Sequence, residues 1–176
     1  MLKPDRRELD YREFVEAVLE RSEHNHFPHV EAMRVVFMLT RVASLITYDL
    51  EASVHRPRGL TWPGFRLLVV LGASGPMEIT AAAEQSGMSK QAVSALLKSL
   101  VRDGLVAREA SPSDGRAVNL SLSERGREAF AAAKIANNER EKLWCEGLAP
   151  EERDQLVALL LKLLHREMDG DVRRRS

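Results

Sequence analysis

Two short stretches of helical pattern, residues 80–85 and 89–101, stand only three residues apart, separated by Ser86, Gly87 and Met88. So tight a joint demands that the chain reverse at the glycine, which is the geometry of a helix-turn-helix. Thr80 and Ser89 stand where N-caps would, each with a hydroxyl able to accept from the unpaired amides of a first turn. In the second stretch Ala92, Val93, Leu96, Leu97 and Leu100 recur at helical spacing and are expected to face a core. That leaves Ser89, Lys90, Gln91, Ser94, Ala95 and Lys98 facing outward. In a helix-turn-helix the second helix enters the major groove of DNA while the first braces it. The outward set suits groove entry, because lysine reaches guanine edges or phosphate, glutamine pairs with adenine, and serine bonds to either. An αα-hairpin used only for packing carries the same pattern, so the reading needs a second signal.

The segment that follows supplies one. Residues 105–108 have strand character, and residues 117–122 alternate apolar with small or polar side chains, as a half-buried strand does. Between them Ser111, Pro112, Ser113, Asp114, Gly115 and Arg116 are turn formers. The expected product is a β-hairpin with an exposed, basic tip placed directly after the candidate recognition helix. Such a wing could send Arg116 into the narrow, electronegative minor groove, with Asp114 orienting it and Ser113 beside it. The charge distribution agrees. The whole chain has net charge zero, yet residues 87–127 carry seven basic against four acidic side chains, while residues 1–30 carry five against seven.

On either side the pattern is helical. Tyr11, Phe14, Val15, Val18 and Leu19 predict a short amphipathic helix ending before His24, and residues 24–28, closing on Phe27-Pro28, read as a connector. A long helix follows from Val30 to about Val54, apolar over a broad face. Arg56-Pro57-Arg58-Gly59 breaks it, Thr61 caps the next helix before Trp62-Pro63, and residues 72–76 read as a turn. Ser123 caps a helix running through Phe130 to Trp144. Pro150 opens the last, which sets Leu156, Leu159, Leu160, Leu163 and Leu164 on one face. The expected fold is mainly α with a small β-hairpin wing: a winged helix-turn-helix domain over residues 59–122, with dimerisation helices in residues 1–58 and 123–176. At 176 residues a single compact unit is expected.

Several classes are disfavoured. No apolar run reaches the roughly 18 residues of a membrane span, and the first ten residues are charged rather than signal-like, so the expected compartment is the cytoplasm. Cys145 is the only cysteine, which rules out an intramolecular disulfide, and no Cys/His spacing suits structural zinc. His24, His26 and His29 straddle a proline connector rather than one helical face and read as a solvated linker. Glu84, His55 and Ser94 offer acid, base and nucleophile types but no catalytic spacing, so neither an enzyme nor a cofactor is expected.

Residues 59–130 resemble the MarR family of multiple-antibiotic-resistance regulators. Leu60-Thr61-Trp62-Pro63-Gly64-Phe65 looks like its helix-opening signature, and Met77-Glu78-Ile79-Thr80 through Gly87-Met88-Ser89-Lys90-Gln91-Ala92-Val93-Ser94 like its helix-turn-helix. Asp103-Gly104-Leu105-Val106 matches the entry to its wing. Asp114-Gly115-Arg116-Ala117-Val118 and Leu120-Ser121-Leu122-Ser123-Glu124-Arg125-Gly126 resemble the wing's Asp-x-Arg element and the start of the next helix. The resemblance implies a homodimer carrying two winged domains to a pseudo-palindromic double-stranded operator, as a repressor released by a small molecule. DNA contacts would come from Ser89, Lys90, Gln91, Ser94, Lys98, Ser113, Asp114 and Arg116. Many members hold small phenolic or anionic effectors between the dimer helices and the winged domain, which here points to Tyr48, His55, Trp62, Phe65 and Arg66. The alternative places Trp62 and Phe65 in the core, and Tyr48 and Arg66 at an interface or the surface. A redox-responsive regulator acting through Cys145, a ligand-independent one and a protein-contact module are the competing functions.

Overall fold

The computed structural model describes residues 11–110 and 118–168. These fall into two compact units divided between Asp49 and Leu50, where the length of the chain had suggested one. The reason is local: the first two helices own a small core.

In the first unit α1 (Tyr11–His24) and α2 (Val30–Leu50) form a hairpin in which Val15, Leu19 and Val30 are buried, with Met33 and Phe37 packed on them. The Tyr11 hydroxyl donates to the Phe37 carbonyl at 3.2 Å, and the Arg41 guanidinium lies 4.9 Å from the Tyr11 ring centre. The periodicity of residues 9–19 understated α1, which continues to His24. Val35, Val36, Met38 and Val42 on α2 are exposed. Among the described residues no three His, Cys, Asp or Glu side chains converge as a metal site, and no helix is long and apolar enough to cross a membrane.

The second unit opens where α2 passes into a π turn, Glu51–His55, and a 3-10 turn, Arg56–Arg58. Helix α3 (Trp62–Ser74) starts at Thr61, whose Oγ1 accepts from the Gly64 amide at 3.2 Å. It runs through Gly72, which the sequence had placed in a turn. Tertiary packing accounts for the difference: a Cβ on Gly72 would come within 2.5 Å of the Phe130 ring, so glycine lets two helices approach.

Strand β1 (Met77–Glu78) leads into α4 (Ile79–Ser86), followed by α5 (Lys90–Arg102), β2 (Val106–Ala110), β3 (Val118–Leu122), α6 (Glu124–Cys145) and α7 (Pro150–Met168). The expected hairpin is present as β2 and β3, antiparallel with Val106 opposite Leu122. The sheet has a third member, since β1 pairs with β3 through Met77 and Leu120. Leu120 and Leu122 turn into the core while Asn119 and Ser121 are half-buried, the period of two expected of a strand. Phe65, Leu67, Leu68 and Leu71 of α3, Ala82 and Ala83 of α4, and Val93, Leu97 and Leu100 of α5 bring three helices onto that face. Ser123 caps α6, its Oγ accepting from the Gly126 amide at 2.9 Å. Ala133 anchors the first half of α6, whereas Ile135, Leu143 and Trp144 are exposed, as is every residue of α7 from Pro150 to His165.

Candidate nucleic-acid interface

The joint between α4 and α5 is built as a tight reversal. Gly87 adopts φ +63°, the left-handed region that glycine enters without steric cost, and the amides of Gly87 and Met88 return to the carbonyls of Glu84 and Ala83 at 3.2 and 3.0 Å. Ser89 then caps α5, its Oγ accepting from the Ala92 amide at 3.1 Å. The cap of α4 is Glu78, not Thr80, because pairing of Met77 and Glu78 with β3 fixes the chain's direction and lets the helix begin at Ile79.

Val93, Leu97 and Leu100 are buried and Leu96 is partly so; Ala92, expected inward, is exposed, since the stripe that meets the core is narrower than the apolar set. Opposite it Ser89, Lys90, Gln91, Ser94, Ala95 and Lys98 are all exposed. Lys90, Ser94 and Lys98 follow one another at four-residue spacing and therefore share a face, with Gln91 alongside. The hydroxyl of Ser89 accepts in its cap and still has a proton to donate. The face thus offers two ammonium groups, one amide and two hydroxyls, with Ser89, Lys90 and Gln91 at the positive end of the α5 dipole.

Ser113, Asp114 and Arg116 lie outside the described residues; the flanking strands are paired up to Ala110 opposite Val118. Among the described residues of this region, Arg102 is engaged with Asp103 at 3.0 Å and Arg127 with Glu124.

The five residues singled out for a small molecule are not brought together as a set. Tyr48 belongs to the first unit and is 69% exposed. His55, Trp62 and Phe65 cluster: the His55 ring is fully buried, its centroid 4.4 Å from that of Phe65 and 5.6 Å from that of Trp62. Neither ring nitrogen has a hydrogen-bond partner among the described residues. Burial holds the His55 pKa below its ordinary value, partly opposed by the negative field of Glu51, assisted by Arg58 and opposed again by Glu141. Arg66 turns elsewhere and donates to the Ser86 carbonyl beside the α4–α5 turn.

Next to the cluster, α3 and α6 enclose a groove of about 610 Å³ lined by Phe65, Val69, Gly72, Phe130, Lys134 and Asn137, among others. Asn137 is 5% exposed. Its Nδ2 donates to Glu141 Oε1 at 2.6 Å, and its Oδ1 has no partner among the described residues. A carboxylate accepts only, which fixes which end of the amide faces Glu141. Sequence reasoning missed the α6 wall of this groove. The available signal was an asparagine four residues beyond Ala133 and seven beyond Phe130, on the stripe that meets the core.

Comparison with known proteins agrees with this architecture. The MarR family model matches residues 58–117. A helix-turn-helix transcriptional repressor of Mycobacterium bovis is 30% identical over 119 residues, 67% of this chain and 85% of the relative. The transcriptional repressor CouR, solved bound to a 23-mer DNA duplex, is 31% identical with a TM-score of 0.68 and covers 73% of this chain and 90% of its own. BpsR of Bordetella bronchiseptica, whose DNA binding is regulated by 6-hydroxynicotinic acid, superposes with a TM-score of 0.68 at 22% identity, covering 74% and 98%, a likeness of fold. With a three-stranded sheet packed against a helix-turn-helix, and a relative this similar along most of its length, the chain belongs to the MarR family of winged helix-turn-helix transcriptional regulators.

Proposed function

We propose that this protein is a homodimeric repressor that reads a pseudo-palindromic operator with α5 and the wing, and that a small aromatic molecule in the α3–α6 groove releases it. The observation that carries the DNA half is the exposed face of α5, where Ser89, Lys90, Gln91, Ser94 and Lys98 stand with no bulky apolar side chain among them. Ser113, Asp114 and Arg116 are assigned to the wing contact. Residues 59–122 form the DNA-binding part in this reading, and residues 1–58 and 123–176 the dimerising part. Exposed leucines along α7 support the dimer, because an exposed apolar surface of that extent is an association liability in water.

The ligand half rests on Asn137 and the aromatic wall. A buried, unpaired carbonyl oxygen costs free energy that a ligand hydroxyl or N–H donor would recover. The half-buried Phe130 ring, backed by Phe65 at 6.2 Å between ring centres, offers apolar contact to a planar ring, and the Lys134 ammonium at 5.9 Å from the Phe130 centroid suits an acid group. A hydroxy-aromatic acid satisfies all three, and BpsR answers to one. The test is a mobility shift with DNA from upstream of the protein's own gene, repeated with a panel of such acids that includes 6-hydroxynicotinic acid. Retardation of that duplex but not of a scrambled one is expected, reversed by at least one acid. Equal retardation of both duplexes removes the operator reading, and retardation that no acid reverses removes the effector.

A further inference from the structure

Phe65 and Arg66 are neighbours on α3 whose side chains leave the helix in different directions. Phe65 faces His55 and Phe130, whereas Arg66 Nη2 donates to the carbonyl oxygen of Ser86, the last residue of α4. The end of a helix explains why that carbonyl needs a donor. Its last carbonyls have no partner within the helix. Those of Ala83 and Glu84 are taken by the returning amides of the turn, but that of Ser86 lies beyond them. Ser86 is only 3% exposed, so water has little access to it. The guanidinium supplies a charge-assisted hydrogen bond at the negative end of the α4 dipole. Gly87 accommodates it, since a Cβ there would stand 3.3 Å from Arg66 Nη2.

We propose that Arg66 is a positioning residue for operator reading: by tying Ser86 to α3 it sets the angle at which α5 leaves the turn. This rests on α5 being the helix that reads DNA. The lever is long enough to matter. Lys98 lies about 13 Å along α5 from Ser89, so a swing of ~10° moves it by about 2 Å, whereas a recognition constellation tolerates about 0.5 Å.

Fluorescence anisotropy on the full-length protein tests this, with the shortest upstream duplex that shifts and a scrambled duplex of equal length, each over a salt series. Arg66→Met keeps the methylene stem and removes the donors. It is expected to lose about tenfold in affinity for the upstream duplex, to bind the scrambled duplex as wild type does, and to keep the wild-type salt slope. Arg66→Lys, retaining one charged donor, should recover part of the loss, and carries the same comparison if the methionine variant does not fold. An equal loss on both duplexes, an unchanged affinity, or a slope shallower by about one unit, the mark of a phosphate contact, each overturns the proposal. Amide exchange without DNA adds an independent readout: Gly87 and Met88, whose amides close the turn, should exchange faster in Arg66→Met, and unchanged rates overturn the tie. Gln91→Ala separates the two ideas. If it leaves discrimination between the duplexes intact, α5 is not the reader and both fall; if it weakens discrimination while Arg66→Met does not, only the tie falls.

Discussion

Single residues in this chain divide by whether their partners are close in sequence. Thr61, Ser89 and Ser123 were legible as caps because an N-cap acts on an amide two or three residues ahead, and each makes that bond. His55 was legible only as a candidate, since the rings that enclose it come from α3. Its burial has a consequence for stability. The folded protein takes up a proton at His55 less readily than the unfolded chain, whose ordinary value is 6.5. Stability from a neutral His55 is therefore complete above about pH 6.5, and is lost as pH falls from there through the lower folded value. Urea midpoints measured from pH 8 to 5 should fall for wild type and fall less for His55→Leu; parallel curves would show that the imidazole is not the titrating group. Arg116 is tested through DNA. If it enters the minor groove, Arg116→Ala should fold and dimerise normally yet bind the operator more weakly, with a salt slope shallower by about one unit. An unaltered slope would take the wing out of the interface.

At the scale of elements, α5 was readable almost completely, because a cap, a glycine at positive φ and an apolar stripe are local devices. Strand β1 was not. Two residues carry no periodicity, and Met77 and Glu78 become a strand only because β3, more than forty residues later, offers them an edge. The start of α4 moved with it, away from Thr80. The far end of α3 shows the same dependence on partners. Glycine is a poor helix former by about 1 kcal/mol relative to alanine, so Gly72→Ala would stabilise an isolated helix. Here the added methyl meets the Phe130 ring at 2.5 Å, and Phe130 is itself backed by Phe65. Overpacking of that kind costs about 1–3 kcal/mol and should win, leaving the variant destabilised by about 1 kcal/mol in urea unfolding. A more stable Gly72→Ala would mean that α6 yields easily and that the groove is soft.

For the whole molecule the exposed apolar surface is the governing fact. Leu160 is 41% exposed and lies on a helix exposed from Pro150 to His165, so among the described residues a charge there is left in contact with solvent. Leu160→Glu should leave helical content unchanged while converting a dimer to monomer in light scattering, because burying an unpaired carboxylate at an interface costs several kcal/mol. A stable dimer in that variant would exclude this face of α7. The sequence by itself determined the order of helices, the caps of α3, α5 and α6, the glycine reversal before α5 and which side of α5 is left for a partner, since each depends on residues within one or two turns of each other. Tertiary structure alone decided the third strand, the continuation of α3 through Gly72, the enclosure of His55, the α3–α6 groove with Asn137 on its wall, and the use of Arg66 at the turn rather than beside Phe65. In each of these the deciding partner is remote in the chain, and composition and spacing are blind to which remote surfaces will meet.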